Sequence, residues 1–187
     1  MPDTGMFDLT PELLRKIAGA PINKTLAESV CQWLPDMMVD YGINTKLRAA
    51  HFLAQLSHES DHFRTVTEYA SGNEYEGRRD LGNVYRGDGR RYKGRGLIQL
   101  TGRYNYRKYG KKMGLDLEND PQLLEQPKYA CLSAVLFWVN NGLNELADND
   151  DIYRITRRIN GGTNGLRERE AALHRAKSAL PESMFQP

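Results

Sequence analysis

Thr45-Lys46-Leu47-Arg48-Ala49-Ala50-His51-Phe52-Leu53-Ala54-Gln55-Leu56-Ser57-His58-Glu59-Ser60-Asp61-His62-Phe63 decides how the rest of the chain is read. Leu47, Ala50, Phe52, Leu53 and Leu56 recur at helical spacing after a threonine suited to an N-cap, so a helix is predicted from about Thr45 to about Phe63. Phe52, Leu56, Glu59 and Phe63 stand at i, i+4, i+7 and i+11, which places Glu59 in a stripe whose other members are large and apolar. Desolvation penalises an ionised carboxylate and raises its pKa. An acid that keeps its proton near neutral pH can protonate a leaving group. A helix-edge glutamate whose head reaches water is the plainer reading of this residue taken alone.

Working outward, the pattern stays helical on both sides. Thr10-Pro11-Glu12 reads as an N-cap with proline at N1, and Thr25 to Glu28 has the form of a capping box ahead of Val30, Trp33, Leu34, Met37 and Met38. Two helices are therefore expected before Gly42. Helical periodicity returns at Arg103 to Met113, Lys128 to Asn141, Ile152 to Ile159 and Leu166 to Leu180. Between Ala70 and Gly96 it fails, and glycine recurs at 72, 77, 82, 87, 89, 94 and 96, which marks turns, short strands or a long shaped loop. A structureless connection of that length is usually functional or mobile. The chain reads as mainly α, with a loop-rich or short-strand insertion near 70–96.

At 187 residues the chain is expected to form a single domain over 1–187, with N-terminal helices in 1–44, a core in 45–180 and no separate binding module. Its hydrophobic fraction of 40% is that of a globular protein, and no apolar run approaches the roughly 18 to 20 residues of a membrane span. Met1 to Gly19 contains Asp3, Asp8 and Glu12 and no apolar core, so synthesis without classical export is expected. Cys31 and Cys131, far apart and inside apolar helical patterns, read as two buried free thiols.

The net charge of +2 conceals an asymmetry. Gly77 to Lys112 holds twelve basic residues against Asp80 and Asp88, whereas Met113 to Asp151 holds eight acidic residues against Lys128 alone. A basic stretch can be a solvated surface, a nucleic-acid footprint or a patch that favours an anionic polymer. Tyr85, Tyr92, Tyr104, Tyr106 and Tyr109 are interleaved with it, but no helix-turn-helix, zinc-finger or RNP-type motif accompanies them, so no nucleic-acid partner is expected.

Two chemistries compete for Glu59. His58-Glu59-Ser60-Asp61-His62 matches H-E-x-x-H, in which histidines at i and i+4 hold zinc and the glutamate is general base of a peptidase. A third ligand would have to come from Glu74, Glu76 or His174. The other chemistry uses two carboxyl groups and no metal. Inverting glycosidases separate an acid and a base by roughly 6.5 to 9.5 Å. Glu68 follows Glu59 by nine positions, which a straight helix would stretch to roughly 13.5 Å, so the chain must turn between them. Thr65-Val66-Thr67 weakens helix and is where the turn is expected, with Glu74 and Glu76 as substitutes for the base.

His58-Glu59-Ser60, Glu68, the block from Tyr92-Lys93-Gly94-Arg95-Gly96-Leu97-Ile98-Gln99-Leu100-Thr101-Gly102-Arg103-Tyr104-Asn105 to Tyr106, and Ile159-Asn160-Gly161-Gly162 together resemble glycoside hydrolase family 19. That family contains chitinases and phage endolysins. The resemblance runs from about Leu47 to Arg175, is most specific over Gly94 to Asn105, and is nearest to the compact phage and bacterial lysins, because the cysteine framework of plant chitinases is missing.

The resemblance implies a lysozyme-like helical fold with two lobes around a substrate cleft, and no cofactor or metal. It aligns Glu59 with the general acid, Glu68 with the general base and Thr101 with a hydroxyl residue that helps hold the attacking water. Gln99, Tyr104, Asn105 and Asn160 match substrate-lining positions, and Tyr92 is a further candidate to stack on a sugar. The family's arginine that pairs with a catalytic carboxylate corresponds to Arg167 or Arg169. The implied activity is inverting cleavage of β-1,4 bonds in bacterial peptidoglycan by a monomeric endolysin acting on the cell wall after release from the host cytoplasm. Chitin is the alternative substrate, and a zinc peptidase through His58 and His62 the second alternative.

Overall fold

The computed structural model describes residues 7–185, so the start of the segment read for export, Met1 to Met6, and both ends of the expected 1–187 domain lie outside it. The described residues are mainly helical. Helices α1 (Pro11–Ala18), α2 (Lys24–Asp40) and α3 (Lys46–Glu59) are followed by 3-10 turns at Asn73–Tyr75 and Arg79–Leu81 and by the short α4 (Asp88–Arg91). Then come α5 (Arg103–Met113), α6 (Pro127–Asn140), α7 (Leu143–Asp148), α8 (Ile152–Asn160) and α9 (Leu166–Ala179).

Local chemistry accounts for most of the boundaries. The Thr10 hydroxyl accepts a hydrogen bond from the Leu13 amide with Pro11 at the first helical position, and Thr45 accepts from the Arg48 amide. The capping box expected at Thr25 to Glu28 is not used. Asn23 caps α2 instead, its side-chain oxygen accepting from the Leu26 amide, because the helix already begins at Lys24, one residue before the threonine. Helix α7 was not anticipated, being too short to show periodicity.

Helix α3 forms the centre of the core. Every residue from Ala49 to Ser57 is buried, so this is an all-round interior helix rather than one with a single apolar stripe. It packs against α1, α7 and α9, while α6 packs against α2 and α5. The Phe52 and Trp138 rings meet edge to face at 5.2 Å, and the Trp138 indole N–H donates to Asn144 Oδ1 at 2.8 Å, so the largest core ring is both packed and satisfied. Cys131 is buried and Cys31 only half-buried, and both are free thiols.

The expected continuation of α3 to Phe63 does not occur. The helix stops at Glu59, and Asp61, His62 and Phe63 adopt left-handed backbone with φ of 50°, 63° and 56°. Such φ values are rare for non-glycine residues and cost of order 1–3 kcal/mol each unless surroundings enforce them. Buried Ser60 supplies much of the enforcement: its hydroxyl donates to Leu56 O at 2.7 Å and accepts from the Phe63 amide at 2.9 Å. The His62 amide closes the turn on Ser57 O at 2.7 Å. Phe63 still reaches the core, but by this turn and not along the helix.

Beyond the turn, Thr67 pairs antiparallel with Arg95, and Arg95 with Leu100, giving a miniature ladder and no longer strand. The glycine-rich stretch between is loop, 3-10 turns and the short α4. It is stapled to α5 by Arg103. That guanidinium forks onto buried Asp88 at 2.8 and 2.9 Å, reaches Glu118 at 2.7 Å, and lies 4.8 and 4.9 Å from the ring centres of Tyr85 and Tyr92.

Candidate active site

Ending α3 at Glu59 and turning at once brings two carboxylates to one cavity of about 460 Å³. Glu59, Glu68, Gln99, Thr101, Asn105 and Asn160 all line it, joined by Tyr75, Arg78 and the apolar Leu81, Ile98, Leu100, Phe137 and Ile159.

Glu59 is held from the far side by Arg169. The guanidinium lies 2.8 Å from Glu59 Oε1 and is itself only 1% exposed. Two further contacts fix the arginine: Nη1 donates to Gln55 Oε1 at 2.6 Å and Nε donates to Asn164 O at 3.1 Å, while Gln55 in turn donates to Thr156 Oγ1 at 3.3 Å. Burial pushes the Glu59 carboxyl above its ordinary pKa, and the Arg169 charge only partly offsets that rise. Its position at the carboxyl-terminal end of α3, where the helix dipole is negative, acts in the same direction as burial.

Glu68 is placed by the ladder. Its amide donates to Gly94 O at 2.9 Å, and its Oε2 accepts from the Tyr75 hydroxyl at 3.0 Å. Burial raises its pKa; the Tyr75 hydrogen bond and Lys93 oppose that rise, while Glu74 adds to it. Oε1 is buried without a protein hydrogen bond. Across from it, the Thr101 hydroxyl donates to Gln99 O at 3.0 Å. Gln99 itself has φ of 58°, in the turn that closes the ladder.

Gly94 sits between these groups. A methyl group built there would lie 2.8 Å from Gln99 Oε1, 3.2 Å from Glu68 Oε2 and 3.4 Å from Thr101 Oγ1, so glycine leaves open the space that the three polar groups face.

Several expected site residues stand elsewhere. Arg167 is exposed, and the arginine at Glu59 is Arg169, because the buried face of α9 runs through Arg169, Ala172, Leu173 and Ala176, and a residue two positions earlier points away from it. Tyr92 is fully buried, edge to face with Tyr106 and donating to Glu118 O, so it has no surface to offer a sugar. Tyr104 is 55% exposed and outside the cavity, on the outer face of α5. Glu74 is exposed and outside the cavity, and Glu76 is committed to the amides of Gly87 and Gly89. Sequence reasoning missed Tyr75 and Gln55; the polar Gln55 at the heart of an apolar helix was the available signal.

The H-E-x-x-H geometry is not realised. With α3 ended at Glu59, His62 lies on left-handed backbone and does not sit one helical turn above His58. His174 is exposed on α9, and no group of three or more His, Cys, Asp or Glu side chains among the described residues is arranged to hold a metal. Burial, reinforced by Arg169, pushes His58 down to about 4, so it is neutral at physiological pH beside Gly165.

Residues 37–152 match the family model for class I chitinases of glycoside hydrolase family 19. A family 19 domain-containing protein of Haemophilus influenzae is 33% identical over 166 residues, covering 72% of this chain and 80% of that protein. An endochitinase of Arabidopsis thaliana is 38% identical over 123 residues, covering 65% of this chain but only 42% of the plant protein. The fold superposes on chitinase C from Streptomyces griseus with a TM-score of 0.76 at 22% identity, over 100% of this chain and 99% of that one. The family model over more than half of the chain and the Haemophilus relative, with the shared helical fold, show that the chain belongs to glycoside hydrolase family 19.

Proposed function

We propose that this hydrolase cleaves β-1,4 bonds next to N-acetylated amino sugars with inversion, Glu59 acting as general acid and Glu68 as general base. The observation that carries the reading is that two carboxyl groups, both with raised pKa, line one cavity, one backed by a buried arginine and the other by a tyrosine. In this mechanism protonated Glu59 donates to the departing glycosidic oxygen. Glu68 takes a proton from a water held by Thr101 in the space beside Gly94, and that water attacks the opposite face of the sugar. Arg169 stabilises the Glu59 carboxylate left behind. Gln99, Asn105 and Asn160 offer amides to the N-acetyl and hydroxyl groups of the substrate.

Bacterial peptidoglycan is the substrate we favour, in the manner of a compact lysin with its catalytic unit in 45–180, because the excess of positive charge over Gly77 to Lys112 suits an anionic wall. Chitin is the second reading, favoured by the endochitinases among the relatives.

The test is clearing of purified peptidoglycan and hydrolysis of chitin oligomers, with and without EDTA, by wild type and Glu59→Gln, with mass spectrometry of fragments and NMR of the first anomer released. Clearing that survives EDTA, yields new α-anomeric reducing ends and falls at least about a thousandfold in the variant, the upper part of what a positioned acid supplies, is expected. Normal turnover by a folded Glu59→Gln protein would sink the mechanism, and cleavage confined to chitin would reverse the order of substrates.

A further inference from the structure

Helix α5 leaves the cleft carrying five cations and no acid: Arg103, Arg107, Lys108, Lys111 and Lys112. Its faces divide by task. Tyr106, Tyr109 and Gly110 are buried, and Asn105 lines the active-site cavity. Tyr104, Arg107, Lys108, Lys111 and Lys112, at i, i+3, i+4, i+7 and i+8, form one continuous outer face and line a separate open groove of about 390 Å³. Within it Arg107 is anchored on Glu118 at 2.7 and 3.1 Å, whereas Lys108, Lys111 and Lys112 take part in no ion pair among the described residues. The Tyr104 ring lies open to solvent with the Lys108 ammonium 5.8 Å from its centre.

An exposed aromatic face beside unpaired ammonium groups is suited to a saccharide that bears acidic substituents: the ring covers a sugar face and the cations meet the carboxylates. The groove adjoins the cleft through a single rigid helix, since Asn105 on the cleft side directly follows Tyr104 on the groove side. We propose that the outer face of α5 is a second, non-catalytic holding site for the same anionic wall glycan that the cleft cuts, engaging the polymer along the helix that borders the cleft. The proposal rests on the peptidoglycan reading above.

The test uses the full chain. Retention on purified peptidoglycan sacculi is measured across a salt series for Glu59→Gln and for Glu59→Gln carrying Lys108→Ala, Lys111→Ala and Lys112→Ala, with chitin beads, vesicles of phosphatidylglycerol and phosphatidylethanolamine, and duplex DNA as parallel surfaces. The expected result is about tenfold weaker retention on sacculi at low salt after the three substitutions, a flatter salt dependence, and undiminished retention on chitin. Unchanged retention on sacculi would overturn the holding site. So would tighter lysine-dependent binding to vesicles or DNA than to sacculi, or an equal loss on chitin.

Clearing assays with glutamate retained at position 59 separate the two readings. If the wild-type protein leaves sacculi intact while cutting chitin oligomers, the wall reading has failed and the holding site with it. If it clears sacculi, and the triple lysine variant clears them equally fast, the holding site alone has failed.

Discussion

Glu59 and Glu68 are both pushed upward in pKa by burial, but their neighbours tune them separately, and the two limbs of a pH profile read that tuning. In the proposed mechanism the base must be ionised, so Glu68 is expected to govern the acid limb of kcat/KM. Tyr75→Phe removes a hydrogen bond that favours the carboxylate, so the acid limb should move to higher pH while the fold is retained. A profile superimposable on wild type would show that Tyr75 does not position the base. The proposed acid must be protonated, so Glu59 is expected to govern the alkaline limb. Arg169→Met removes the charge that lowers Glu59, and the alkaline limb should move up as turnover falls. Because Gln55 and Glu59 lose a buried partner together, denaturation should also register a loss of about 3 kcal/mol or more. A stable variant with an unshifted limb would remove Arg169 from the account.

The glycine-rich insertion has no helix long enough to hold itself, so its position depends on Arg103 joining it to α5. Burial alone would raise Asp88, but the guanidinium of Arg103 and the amides of Tyr85 and Val84 outweigh that and hold it low. Arg107 and Arg103 draw Glu118 down to about 2. Both folded-state values lie below those of the unfolded chain, about 4, so the staple is complete at pH above 5 and fades as pH falls toward 2. Arg103→Ala leaves buried Asp88 without its cation and should cost about 3 kcal/mol at pH 7, with a smaller penalty at pH 3. Urea titrations at the two pH values check this; a pH-independent penalty would mean that Arg103 matters through its packing on Tyr85 and Tyr92. The insertion carries Tyr75 and Arg78 into the cavity, so activity should fall before global unfolding.

At the scale of the molecule, legibility followed the reach of the interactions. Helices α1, α3, α5, α6, α8 and α9 could be read because their caps and periodicities are local, and Glu59 because an acid following Phe52 and Leu56 on one helix is a local anomaly, although Phe63 does not continue that helix. What escaped depends on partners far along the chain. Arg169 is distinguished from Arg167 only by which face of α9 meets α3, and Tyr92 from a surface ring only by the closing of α5 over it. The turn itself was expected at Thr65-Val66-Thr67 and occurs at Ser60 to Phe63, since three left-handed residues are tolerated only where buried Ser60 ties both ends.

That turn makes the spacing between Glu59 and Glu68 a property of covalent length. Adding or removing one residue there alters reach by about 3.3 Å, several times the tolerance of roughly 0.5 Å within which a catalytic constellation works. The same edit among exposed residues 84–87 leaves the path from Glu59 to Glu68 unchanged and disturbs the packing of Tyr85 on Arg103 and the hydrogen bond of Gly87 to Glu76. A scan of single-residue insertions and deletions scored by turnover should therefore show a deep, narrow trough over 59–68 beside a tolerant shoulder at 84–87: the enzyme keeps its ruler in the chain between its two carboxylates, and that ruler can be read one residue at a time.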